Sequence, residues 1–207
     1  MFLLRVDDEI SVRTLHPDDA QELFKLLERN RSRLRLWVGP SSLPETAKAT
    51  RIYAIECYFG SLDPLSAIDT PYIDEVRPYF PPIHPPMEMG IWFCGDLVGV
   101  ISLSILEDSD TAAEFGYWLD GKHEGKGIIT RCVRALMDHA IDNMGIERFV
   151  IGCAQNNPRS RAVAERLGYR LQAIIPNGEV VGELVYDRVV YGIRSGEWRL
   201  RQIKGAT

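Results

Sequence analysis

The sequence predicts an α/β fold of the mixed (α+β) kind, a central sheet of about six to seven strands flanked by about four helices. Three observations carry this. From residue 87 onward, strand-like runs alternate with helical ones. The apolar pairs Ile128/Ile129, Cys132/Val133, Leu136/Met137 and Ala140/Ile141 recur every four residues, which makes one wide buried helical stripe. Between a strand and that helix lies a short glycine-bearing loop, within the run EFGYWLDGKHEGKGI at Glu114–Ile128.

The chain opens with strand-like runs at Phe2–Val6 and Ile10–Leu15. His16-Pro17-Asp18-Asp19 then starts a helix. Proline suits the first helical position, and the acids suit the positive end of the helix dipole. Leu23, Phe24, Leu26 and Leu27 give this helix an apolar face. Pro44–Phe59 reads as a second helix. Residues 61–86 then hold seven of the chain's twelve prolines. Proline removes donors and restricts its predecessor, so regular structure is not expected there. Tyr72, Tyr79 and Phe80 give the segment something to pack with. The expectation is an ordered lid or interface arm, inserted into a single domain spanning residues 1–207.

Strands are expected at Met87–Cys94, Leu97–Leu106 and Thr111–Asp120, and a helix from Gly127 to about Asn143. Arg148–Ala154 is an apolar strand. Pro158–Leu167 is a helix with Pro158 at its start and Gly168 as its stop. Tyr169–Pro176 and Leu184–Arg194 are terminal strands around Asn177-Gly178.

A net charge of −5 over 207 residues argues against direct nucleic-acid binding. Cys57, Cys94, Cys132 and Cys153 form no C-x-x-C pair and have no histidine cluster nearby, so no metal site is expected. Reduced thiols fit a reducing, cytoplasmic setting. The run MFLLRVDDEISVR turns acidic too soon for a signal peptide. The apolar stretch Met89–Leu106 is broken by Gly95-Asp96, which reads as two strands and a turn rather than a membrane span.

The helix that begins at Gly127 offers unpaired N–H groups and a positive dipole end, a ready cradle for phosphate. A P-loop is a poor match: Gly121 and Gly125-Lys126 are one residue too close, and Gly127 replaces the hydroxyl. A nucleotide-dependent phosphotransferase is disfavoured accordingly. A dinucleotide fingerprint fails too, because Thr130 stands where a glycine belongs. A plain strand-to-helix turn accounts for the glycines alone. The wider order, however, is strand, K-x-x-G-x-G at Lys122–Gly127, amphipathic helix, strand, N-x-x-S at Asn157–Ser160, short helix, strand.

That order resembles the GNAT superfamily of acyl-CoA-dependent N-acyltransferases. Phe115–Asp120 with Gly125–Ile128, Arg166–Tyr169 (RLGY), and Arg31–Trp37 (RSRLRLW) look like the branch that acetylates ribosomal-protein N-termini. Lys122 departs from the usual glutamine or arginine and lacks arginine's planar fork. The resemblance implies acetyl-CoA as acyl donor and a sheet splayed between Thr111–Asp120 and Arg148–Ala154. It implies that Trp118 and Leu119 pair with the pantetheine arm. Lys122, Gly125, Lys126, Gly127 and Ile128 would then surround the pyrophosphate, and Asn157 would bond the pantetheine arm. Thr130 reads either as a further hydroxyl there or as a solvent-facing helix residue.

Ser160 matches the position that protonates the leaving thiolate, against a plain role in helix capping. Glu114 is the candidate base, with a satisfied sheet carboxylate as the bland reading. Asp187, with Tyr186 and Tyr191, is a further candidate for substrate contact. Direct attack through a tetrahedral intermediate is implied, with no acyl-enzyme. The implied acceptor is a primary amine, foremost a protein N-terminus such as that of a ribosomal protein. A small amine (antibiotic or polyamine) and a non-catalytic acyl-CoA sensor remain as alternatives. A homodimer is the family-based expectation. The arginines Arg29, Arg31, Arg33 and Arg35 read as a capture site for an acidic partner or the CoA 3′-phosphate, or as a solvated helix end.

Overall fold

Alternating burial along the strands builds the sheet. β1 (Leu3–Arg5) and β2 (Ile10–Thr14) open the chain, and β2 buries Ile10, Val12 and Thr14 on one face. The computed structural model describes residues 2–38, 43–60, 87–106 and 109–205. The proline-rich segment, with its expected role as lid or arm, lies outside them. β3 (Met87–Phe93) and β4 (Asp96–Leu106) form a hairpin. Its turn places Cys94 at φ 53° and Gly95 at φ 92°, the paired positive φ that suits the strands' twist. β5 (Ser109–Leu119), β6 (Arg148–Ala154), β7 (Arg170–Val181) and β8 (Leu184–Arg194) complete the sheet.

The eight strands run in the order β1-β2-β3-β4-β5-β6-β8-β7. All neighbours are antiparallel except β5 and β6. A parallel pair needs a crossover, and α3 (Ile128–Met144) supplies it. β5 and β6 pair only at Ala112↔Arg148, Ala113↔Phe149 and Glu114↔Val150. Beyond Glu114 the two strands part, so the sheet is splayed where the resemblance implied.

Helices cover both faces. The expected stripe of α3, Ile128, Ile129, Cys132, Val133, Leu136, Met137 and Ala140, is buried. It packs with Phe115 and Phe149, whose rings stack at 5.8 Å, and with Val163, Ala164 and Leu167 of α4 (Pro158–Leu167). On the other face, α1 (Ala20–Leu34) contributes Leu23, Leu26 and Leu27 to a cluster with Trp92, Leu97 and Val100. Tyr53 and Cys57 of α2 (Ala47–Gly60) pack against that cluster.

Three local readings differ from expectation. Pro17–Asp19 form a 3-10 turn, and α1 starts only at Ala20. Asn177-Gly178 is not the turn between the last strands. The chain reverses at Gly182-Glu183, and residues 176–178 form a bulge inside β7 with Asn177 at φ 54°. Asp187 holds that bulge by accepting from the Asn177 N–H at 3.0 Å. A fifth helix, α5 (Ser195–Gly205), follows β8. Its charged sequence shows little apolar period. It is anchored by Trp198, which is buried and donates Nε1–H to Asp138 at 2.7 Å.

Candidate active site

The loop after β5 is held from beneath by α1. Asp120 is 2% exposed, and its carboxylate accepts from Arg29 at 2.8 Å and from Asn30 Nδ2 at 3.0 Å. Burial alone would raise its pKa. The hydrogen bonds from Asn30 and Arg29, with the Arg29 charge, outweigh burial and hold the group below the usual carboxylate range. Asn30 Oδ1 accepts the Gly121 N–H at 3.0 Å. Arg33 reaches Glu124 at 2.5 Å and the Leu119 carbonyl. The arginine segment is therefore neither a solvated helix end nor a docking patch throughout. Arg29, itself half-exposed, and Arg33 brace the glycine loop.

Gly125 and Gly127 have φ of 77° and 72°, where a side chain is strained, and a Cβ on either would meet no atom within 4 Å. Open space therefore faces both glycines. The first backbone bond of α3 runs from Arg131 N to Gly127 O at 3.0 Å, so the N–H groups just before it belong to the unpaired first turn. Arg131 ties this turn to the β1–β2 loop through Asp7 and Glu9. Arg33, Arg131, Arg159 and Arg166 line the cleft, and Arg159 shares Glu124 of this loop with Arg33. Backbone N–H groups with guanidinium neighbours suit a pyrophosphate.

At the splay, Tyr117 of β5 faces Ser160 of α4. The Tyr117 hydroxyl lies 3.1 Å from Ser160 Oγ and donates to the Ser160 carbonyl at 3.3 Å. Cys153 of β6 lines the cleft together with Ser160. Burial pushes the Tyr117 phenol up, against the Ser160 hydrogen bond, and pushes the Cys153 thiol up as well. Both groups thus stay protonated at neutral pH. Asn157 Oδ1 accepts the Ser160 N–H at 3.2 Å, so this asparagine does cap α4, and it also lines the cleft.

The apex of the splay is closed by Arg188 of β8. Its guanidinium crosses Gly152 of β6, where an added Cβ would lie 2.3 Å from Nη2. It binds Glu114 on β5 and, at 2.9 Å, Glu179 on β7.

One continuous cleft of about 1110 Å³ joins these parts. Of the residues expected at the site, Trp118, Leu119, Gly125, Gly127, Ile128, Thr130, Asn157 and Ser160 line it. Glu114, Lys122 and Lys126 are not in its wall. Glu114 is engaged by Arg188, Lys122 is exposed, and Lys126 Nζ sits 5.1 Å over the Phe93 ring. Tyr117, Cys153, Glu88 and Glu179 line the cleft without having been singled out. Tyr117 lay inside the quoted run, and strand alternation places it on the Phe115 face. The two glutamates are isolated acids in strands, with no spacing to mark them.

A glycine turn at a helix start, an opened parallel strand pair and a hydroxyl beside the opening thus share one cleft, an arrangement that suits a phosphate-bearing thioester. Comparison with known proteins shows the family. Residues 9–170 match the family model described as an acetyltransferase (GNAT) domain. The chain is 32% identical to the putative ribosomal N-acetyltransferase YdaF of Bacillus subtilis (strain 168) over 198 residues, 96% of this chain and 98% of that protein. A crystal structure of a probable acetyltransferase superposes with a TM-score of 0.74 at 30% identity, covering 96% and 99% of the two chains. The structure of RimL, a ribosomal L7/L12 alpha-N-protein acetyltransferase, in complex with coenzyme A has the same fold. Its TM-score is 0.76 at 23% identity, with 93% and 98% covered. This chain belongs to the GNAT acetyltransferase family.

Proposed function

We propose that the protein moves an acetyl group from acetyl-CoA to a primary amine, foremost a protein N-terminus, by direct attack. The observation that carries this is the continuity of the cleft from the glycine cradle, past Tyr117 and Ser160, to the α1–α2 side of the sheet. The diphosphate would lie on the N–H groups of residues 125–128, and the pantetheine arm along Trp118 and Leu119 in the opened strand pair. The amine lone pair attacks the thioester carbon, and the C–S bond breaks as the tetrahedral intermediate collapses. Ser160 gives its proton to the departing thiolate and regains one from solvent, while the amine proton passes to the base.

The amine proton needs a carboxylate within the cleft. Glu179 fills that role better than Glu114, because Glu179 lines the cleft and Glu114 does not. Arg188 holds both carboxylates and so fixes where Glu179 stands. Lys122 and Lys126 are left to act on the phosphates through charge alone.

The name of the B. subtilis relative favours a ribosomal-protein acceptor. Small amines are the second reading. A non-catalytic acyl-CoA binder would have no use for a hydroxyl held at the splay. The whole chain serves as one domain in this proposal, with residues 61–86 as its insertion. Among the described residues, no helix is long and apolar enough to cross a membrane, which fits a cytoplasmic enzyme. Leu171, Ile174, Ile175, Val180, Leu184 and Val185 are 46–62% exposed on the terminal hairpin, and this apolar hairpin is assigned to a homodimer contact. The test is incubation with acetyl-CoA and peptides bearing free ribosomal-protein N-termini, read by mass spectrometry. Acetylated α-amines are expected. Peptides left unmodified while polyamines are acetylated would move the assignment to small amines.

A further inference from the structure

Beyond the splay the cleft runs onto the α1–α2 side, where its wall is largely apolar: Leu34, Trp37, Val38, Tyr53 and Val100. Glu88 of β3 interrupts that wall. Its place follows from register. Glu88 lies opposite Ser102 on β4, and Ser102 lies opposite Gly116 on β5. Directly opposed residues share a face of the sheet. The three therefore form one row, leading from Glu88 to the rim of the splay. At ~4.8 Å per strand, the Cα atoms at its ends are roughly 10 Å apart. Gly116 leaves the row open. A Cβ there would lie 2.6 Å from Ser102 Oγ.

Behind Glu88 stands α2. Cys57 donates its thiol to Glu88 Oε2 at 3.6 Å, and Tyr53, one turn earlier on α2, lines the same wall as the carboxylate. Both of these neighbours are neutral. Burial pushes the Tyr53 phenol and the Cys57 thiol well up, and the Glu88 charge adds to both shifts, so they remain donors. Burial also raises the Glu88 carboxyl, and the two donors offset only part of that. A carboxylate set into an apolar wall against neutral donors is half of an ion pair. The complement is a cation brought by the ligand, and Trp37 and Tyr53 offer it aromatic neighbours.

Resting on the transfer reading above, we propose that Glu88, backed by Tyr53 and Cys57, is an acceptor subsite for a second positive charge close to the reacting amine. The row's length keeps Glu88 from the reacting nitrogen itself, which must sit at the splay beside Tyr117. The chemistry is that of a dicationic acceptor. A peptide with lysine next to its free N-terminus supplies it, and so does a polyamine.

The experiment uses the full chain and four probes: Ser-Lys and Ser-Gln peptides otherwise identical, spermidine, and the monoamine butylamine. Acetyl-CoA binding is measured alongside by calorimetry. In at least one of the two pairs, the wild type is expected to prefer the probe with the extra cation over its counterpart without it at least 10-fold in kcat/KM, through KM. Glu88→Gln should abolish that preference with acetyl-CoA affinity unchanged, and Glu88→Asp should retain most of it. The peptide and polyamine arms show which source the subsite takes. Equal use of the probes within both pairs by the wild type, or a preference that survives Glu88→Gln, would overturn the proposal. Acetyl-CoA binding with no transfer to any probe would overturn it too. Failure to bind acetyl-CoA would instead remove the transfer reading on which it rests.

Discussion

Ser160 draws its meaning from two neighbours. Asn157 fixes its backbone, and Tyr117 lies 3.1 Å from its hydroxyl. Replacing Ser160 by alanine leaves the cap and the cradle intact. Steady-state kinetics of Ser160→Ala should show kcat reduced about 100-fold, the low end for general acid catalysis, with little change in acetyl-CoA affinity. An equal loss in affinity would assign the serine to binding instead. Gly127 carries a different demand. At φ 72° an alanine costs about 1–2 kcal/mol, and its methyl group enters the space facing the loop. Gly127→Ala should therefore weaken CoA binding at least 10-fold in calorimetry while lowering the melting temperature only modestly.

Two elements decide whether the site keeps its shape. One is the staple across the splay. In Gly152→Ala the new methyl group displaces the Arg188 guanidinium, the far end of a flexible side chain that must leave Glu114 or Glu179. The expected cost is about 1–3 kcal/mol in urea unfolding, with kcat lowered because Glu179 loses its fixed position. The other is the brace between α1 and the loop, centred on Asp120. Its folded pKa lies below the unfolded value of about 3.9, so its contribution is fully present above that value. As pH falls from about 4 through the folded pKa, the contribution is lost. Thermal unfolding should show the melting temperature of Asp120→Asn falling less steeply over that acid window than the wild type's. Parallel slopes would mean that the brace adds nothing.

At the scale of the molecule, the sequence carried the sheet-and-helix order, the α3 stripe, the splay through its family likeness, and the glycine turn that opens α3. Those features rest on periodicity and on glycines, which leave a local trace. Arg188, Glu179 and Glu88 left none, because each acts through partners distant in sequence. The α1 arginines misled for the same reason: Asp120 lies 91 residues from Arg29. Asn177-Gly178 looks like a hairpin turn in any sequence window. Only the pairing of Val181 with Leu184 shows that the chain reverses later. The exposed apolar hairpin is also a property of the whole chain. Light scattering should report a dimer, and replacing Ile174 and Val185 by lysine should yield monomers.

The cradle, the splay and the serine have a common purpose only if acetyl-CoA fills the cleft. Calorimetric titration of the folded protein with acetyl-CoA, with ATP as the control, tests this most directly. Saturable binding of one acetyl-CoA per chain with little response to ATP is the predicted result. A folded protein that takes up no acetyl-CoA would contradict the account and leave Gly125 and Gly127 as parts of an ordinary turn.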